Sequence, residues 1–255
     1  MTVTLQCRNL SVTAGQRQLV EDLNLDLPAG SITALLGLNG SGKTLTLHTL
    51  AGIRKPASGE VLIRNTLIEE LDRRQVAQQL GLLLQIHEDA FPMTVKEMVL
   101  MSCYARLGMW QWESADDVAS AELALAEFDL NDLGDRIVTS LSGGERRRVA
   151  LAGMRIQNPD IWLLDEPANH LDPHHQVSLM DKLLTLKNEN KTILASMHDP
   201  LLAARYADHA LLLNNDGSWE FGDAALLLTP ERLLNLYGLP YEYLSGSKQS
   251  ALVPT

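Results

Sequence analysis

The chain has 255 residues, 45% hydrophobic and 21% charged, which is enough for one large folded domain and unlike a disordered or fibrous protein. A net charge of −11 works against nucleic acid or an anionic surface as partner. Cys7 and Cys103 are too few and too far apart for a disulfide framework. No apolar run reaches the roughly 18 residues that cross a bilayer, so a cytosolic chain that forms no channel itself is expected.

Residues 5–27 alternate apolar and polar side chains around breaks at Ala14-Gly15-Gln16 and Glu21-Asp22, the pattern of a half-exposed antiparallel sheet. Pro28-Ala29-Gly30 ends it, and the aliphatic run 32–36 predicts a short buried strand. Then come Gly37, Leu38, Asn39, Gly40, Ser41, Gly42, Lys43 and Thr44, followed by helical spacing over 45–50. Strand, glycine loop and helix in that order form a phosphate loop, whose backbone N–H groups and helix dipole surround an anion. Lys43 is expected to reach the β and γ phosphates of a nucleotide, and the Thr44 hydroxyl to meet Mg2+.

After the turn cluster 56–59, residues 60–63 return to strand, and 81–85 predict a buried strand ending at Gln85. Residues 94–129 show helical periodicity, and 86–158 are read as a helical lobe inserted between strands of the core. Within it, Leu141-Ser142-Gly143-Gly144-Glu145 joins a hydroxyl, two glycine N–H groups and a helix N-terminus into a second anion nest. An outward-facing nest would complete the nucleotide site of a second copy placed head to tail across a two-fold axis. Arg146-Arg147-Arg148, next along, reads as a solvated helix face.

Residues 161–164 and 192–196 are two further apolar runs separated by a helical stretch over 176–186, which predicts a parallel sheet flanked by helices. Asp165, at the end of the first run, is placed to hold a metal in the crevice above the sheet, and Glu166 beside it to polarise an attacking water. Gln85 and His198 end predicted strands and face the same crevice, Gln85 toward metal or water and His198 toward the γ-phosphate. Residues 210–213 make one more strand, Asp216-Gly217 a turn and 230–237 a short helix. The polar tail after Tyr243 is expected to be disordered.

With these motifs in this order, the chain resembles the ATP-binding subunit of an ABC transporter over about residues 5–240. The resemblance implies an α/β fold, a P-loop NTPase (RecA-like) core with an antiparallel β subdomain and an inserted α-helical subdomain. Its expected division is an ATPase domain over 1–240, with core and β subdomain at 1–85 and 159–230, helical subdomain at 86–158, and a tail at 241–255. It implies ATP and Mg2+ as cofactors, with Thr44, Gln85 and Asp165 at the metal. Residues 37–44 and Leu45 would hold the nucleotide, with Ser142, Gly143 and Gly144 from a partner. Glu166 would be the catalytic base, His198 a switch histidine, and Asn169-His170-Leu171-Asp172 a loop crossing the dimer interface.

The sequence departs from that family at two places. Ala14 stands where an aromatic commonly stacks on adenine, and Leu45 where a second hydroxyl commonly meets the α-phosphate. A narrower resemblance, carried by 93–99, 171–176, 228–231 and 236–240, is to importer ATPases serving ferric siderophores, haem and cobalamin. It implies a second copy of the chain, a membrane permease and a solute-binding protein as partners, no nucleic acid, and a peripheral place on the cytoplasmic face of the inner membrane. The competing readings are a soluble ABC ATPase of a non-transport assembly, such as iron–sulfur cluster assembly, and an ABC subunit for another cargo.

Overall fold

A computed structural model describes residues 3–85, 92–105, 113–169, 171–245 and 250–254. The alternation over 5–27 becomes two 12-residue strands, β1 (Val3–Ala14) and β2 (Arg17–Pro28), joined as an antiparallel hairpin. β3 (Ile32–Leu36) is buried at all five positions and runs into the glycine loop, after which α1 (Lys43–Leu50) begins. β4 (Ser58–Ile63) pairs with β1, and β5 (Thr66–Leu67) with β4, so the first sheet has the order β2-β1-β4-β5. Next come α2 (Arg73–Gln79) and β6 (Leu80–Leu83).

The helical stretch is broken by polar caps rather than continuous. α3 (Val95–Met101) starts at Thr94 and α4 (Ala115–Glu127) at Ser114, each in a reciprocal capping box with the residue three positions on. α5 (Gly143–Gln157) begins at Ser142 in the same manner. These three helices pack on one another. Parts of the predicted lobe, residues 86–91 and 106–112, lie outside the described residues.

β7 (Ile161–Leu164), α6 (Pro173–Asn188), β8 (Thr192–Ser196), α7 (Pro200–Tyr206), β9 (His209–Leu213) and β10 (Trp219–Asp223) follow. The second sheet has the order β10-β9-β3-β8-β7-β6, parallel except for the β9–β10 hairpin. Its strands are apolar throughout because both faces are covered. Ile32, Ala34 and Leu36 face one core with the helical lobe, while Leu35 faces another with α1 and the β1–β2 hairpin.

α8 (Ala224–Leu227) and α9 (Pro230–Tyr237) close the core, with the latter spanning the predicted 230–237. The expectation of disorder after Tyr243 is corrected: β11 (Tyr241–Ser245) pairs antiparallel with β12 (Ser250–Pro254). Polarity of side chains does not prevent a hairpin whose backbone groups satisfy each other. Among the described residues no helix is long and apolar enough to cross a membrane.

Candidate functional site

The register of the second sheet brings the site together. Leu83 pairs with Leu164, Leu164 with Ala195, and Leu35 with Ser196, so β6, β7, β8 and β3 end level and release their next residues at one edge. Gln85 and His198 do not end their strands as expected; each lies two residues past the last strand position, on a loop over the crevice.

The glycine loop is held tightly at its base. A Cβ at Gly37 would stand 2.5 Å from Ser41 Oγ and 2.6 Å from the Leu213 carbonyl oxygen, so only glycine lets the chain pass there. Gly42, at φ 103°, takes the left-handed region immediately before α1 and releases the helix's first N–H groups. Lys43 folds back over the loop, its Nζ donating to the Gly37 carbonyl at 2.7 Å and the Leu38 carbonyl at 3.2 Å. Burial holds its ammonium below the usual lysine range, against the opposing pull of Glu166 and Asp165. Leu38, Asn39 and Gly40 are exposed at the rim, whereas Ser41 is buried and its Oγ has no hydrogen-bond partner among the described residues. Thr44 and Leu45 are half-buried on the first turn of α1.

Across the crevice the two carboxylates are wired differently. Asp165 is fully buried; its Oδ1 accepts the Ser196 hydroxyl at 2.7 Å, and its Oδ2 is buried without a partner among the described residues. Glu166 sits at φ 50°, a strained left-handed conformation for a residue with a side chain. Its amide donates to Ser196 Oγ at 2.7 Å, which fixes the backbone. Gln85 Nε2 donates to Glu166 Oε2 at 2.7 Å, Asn169 Nδ2 donates to the same oxygen, and His198 Nε2 lies 2.5 Å from Oε1. The four residues form one closed polar cluster.

The donor set fits a magnesium ion. A buried, unpartnered carboxylate oxygen on Asp165 is costly unless a cation meets it, and hydroxyl, carboxylate and amide oxygens are the hard ligands Mg2+ takes. Thr44, Asp165 and the amide oxygen of Gln85 would hold it.

Arg147 overturns the solvated reading of the arginine run. It is 5% exposed, and its guanidinium donates to the carbonyls of Leu84 at 2.5 Å, Glu166 at 3.0 Å and Gln85 at 3.3 Å. Burial lowers its pKa, with Asp165 and Glu166 opposing. One side chain on α5 thus ties the backbone of both loops that carry Gln85 and Glu166. Arg148 donates to the carbonyls of Phe128 and Asp129. Ser196 and the contact of Asn169 with Glu166 were also missed. The signal for Ser196 was a hydroxyl closing the apolar run 192–196, level with the end of the run that precedes Asp165.

The second glycine motif is outward-facing: Ser142 and Gly143 are exposed and Gly144 half-buried. Ser142 N and Oγ both donate to Glu145 Oε2 at 2.7 Å, and the Glu145 amide donates back to Ser142 Oγ at 3.3 Å. The hydrogen bonds from Ser142 hold the Glu145 carboxyl below its usual range. An anion of the chain's own therefore lies at the helix N-terminus. On the nearby loop Asn169, Leu171 and Asp172 are described and His170 lies outside the described residues. Ala14 is exposed at the tip of the β1–β2 hairpin.

A strand–glycine loop–helix facing two acidic residues at the end of a neighbouring parallel strand defines the class: a P-loop nucleoside triphosphatase. The family profile described as ABC transporter matches residues 20–169, and the chain belongs to that family. It is therefore an ATP-binding subunit that hydrolyses ATP.

The chain is 35% identical over 217 residues to the petrobactin import ATP-binding protein FpuD of Bacillus anthracis, covering 84% of this chain and 79% of the relative. It is 33% identical over 237 residues to the ferric enterobactin transport ATP-binding protein FepC of Escherichia coli (strain K12), covering 92% and 87%. A solved chain described as an inward-facing metal-chelate type ABC transporter superposes with a TM-score of 0.85 at 28% identity, covering 99% of this chain and 98% of that one.

Proposed function

We propose that this chain powers import of a metal chelate, a ferric siderophore, haem or cobalamin, through a separate membrane permease. The observation that carries this reading is likeness along nearly the whole chain to ATPases named for siderophore import, beyond the family's shared motifs. In the working assembly two copies face each other head to tail, each with ATP on residues 37–44. Ser142, Gly143 and Gly144 of the other copy close over the γ-phosphate. The copies sit on the cytoplasmic face of the inner membrane, and a solute-binding protein brings the chelate to the permease.

The chemistry falls to the residues at the sheet edge. Thr44, Asp165 and Gln85 would hold Mg2+, which would supply charge neutralisation at the phosphates. Lys43 exchanges its two loop carbonyls for phosphate oxygens, whose negative charge matches its buried ammonium. Glu166 gives up its bonds to Gln85 and Asn169 and takes the proton of the attacking water, assistance worth roughly 10²–10⁴-fold in rate. His198 passes from Glu166 to the γ-phosphate, which makes it a detector of that group.

The seat for the permease is an open cavity of about 960 Å3 beside α1, α2 and β6, lined by Ile53, Arg54, Ile68, Leu71, Val76 and Leu82. β6 forms part of its wall and continues directly to Gln85, so movement at the cavity reaches the metal side of the site. The test is uptake of labelled ferric siderophore, haem and cobalamin by cells whose own copy is deleted and replaced by wild type, Lys43→Ala or Ile53→Glu. Wild type should restore uptake of one of the three, Lys43→Ala should not, and Ile53→Glu should lose uptake while the purified chain keeps its ATPase rate. Uptake of all three unchanged by the deletion would refute the reading.

A further inference from the structure

The direction in which ATP crosses its loop follows from the strand order. Glu166 and His198 follow β7 and β8, which lie on one side of β3. The β1–β2 hairpin is fastened on the other side: the Glu21 amide donates to the Gly217 carbonyl and the Trp219 indole N–H to the Glu21 carbonyl, each at 3.0 Å. With the reacting phosphate toward Glu166, ribose and base leave the loop on the hairpin side. The hairpin meets the loop there, since a Cβ on Gly42 would stand 3.0 Å from Leu19 Cβ.

At the hairpin's open end Ala14 pairs with Arg17, and Val12 pairs with Val20. Partners across an antiparallel pair share a face, and Val12 and Ala14 share one by the two-residue period of a strand. Arg17, opposite Ala14, therefore stands on the face of β1 that carries Val12, which is buried in the core that includes Leu47 and Leu50 of α1; the pairing shifts by one residue between Val12 and Thr13, so Val20 does not set the face of Arg17. Arg17 extends that face beyond the core, into the space where the base emerges. Ala14 offers only a methyl group. The Gln18 amide, on the opposite face, is spent on the Val20 carbonyl at 3.2 Å. Nothing lies within 4 Å of where a Gly15 Cβ would be, so the tip is open. The Arg17 guanidinium has no hydrogen-bond or ion-pair partner among the described residues.

We propose that the Arg17 guanidinium is the platform on which the adenine of ATP stacks. A guanidinium is flat, delocalised and weakly hydrated, so it covers an aromatic face by stacking and cation–π attraction. The proposal rests on residues 37–44 holding the phosphates, and the test separates the two. Calorimetric titration would compare Mg-ATP with magnesium tripolyphosphate, which has the phosphates and no base. Arg17→Ala should weaken ATP about fivefold and leave tripolyphosphate unchanged, and the double variant Arg17→Ala with Ala14→Tyr should recover ATP affinity. ATP affinity unchanged in Arg17→Ala would overturn the proposal. So would an equal loss for both ligands, which would make Arg17 a phosphate contact. A wild-type chain that bound neither ligand would strike the phosphate-site reading and this proposal with it.

Discussion

Arg147 is buried beneath the two loops that carry Gln85 and Glu166, and a buried guanidinium persists only where its N–H donors are matched. Its three acceptors are the carbonyls of Leu84, Gln85 and Glu166. Arg147→Ala leaves them without their donor, and hydrogen bonds to charged groups are worth about 1.5–3 kcal/mol. Urea unfolding should show a loss of about 3 kcal/mol, and the hydrolysis rate should fall because the Glu166 backbone loses an anchor. A loss below about 1 kcal/mol, the value of an ordinary hydrogen bond, would mean that water replaces the guanidinium at no cost. That Gln85, Asp165, Glu166 and His198 share one crevice was legible in the sequence because each closely follows an apolar run, and parallel strands end at one edge. Arg147 was not. Its burial depends on carbonyls 63 and 19 residues away, and nothing local marks a charged run as buried.

At the scale of elements, α5 begins with a capping box in which Glu145 occupies the anion position of its own helix. Ser142→Ala removes the hydroxyl cap and should cost about 1 kcal/mol at neutral pH. The hydrogen bonds from Ser142 depress the folded-state pKa of Glu145, so their stabilisation is present above its unfolded value and fades as pH falls through the folded one. Denaturation midpoints of wild type and Ser142→Ala should therefore converge in acid; a gap that widened there would contradict this origin. Element positions were mostly legible: the aliphatic runs 32–36, 161–164 and 192–196 are β3, β7 and β8 to the residue. The loop positions of Gln85 and His198 were not, because strand ends depend on which neighbour continues to pair. The β11–β12 hairpin was missed for the same reason.

For the whole molecule, the features of a single copy point to a second. Its anion nest at Ser142 and Gly143 faces outward with Glu145 in it, while Glu166 is held closed by Gln85, Asn169 and His198. In the proposed dimer, ATP and a partner would exchange both arrangements for phosphate contacts. The order of motifs is what suggests this pairing in the sequence; the contacts that Glu145 and Glu166 make within one copy were visible only once side chains were placed. The most direct measurement is sedimentation velocity of Glu166→Gln with and without Mg-ATP. The account predicts a dimer with Mg-ATP, a monomer once nucleotide is removed, and no ATP-dependent dimer when Ser142→Arg is added. A chain that binds Mg-ATP and stays monomeric, or dimerises equally with Ser142→Arg, would contradict it.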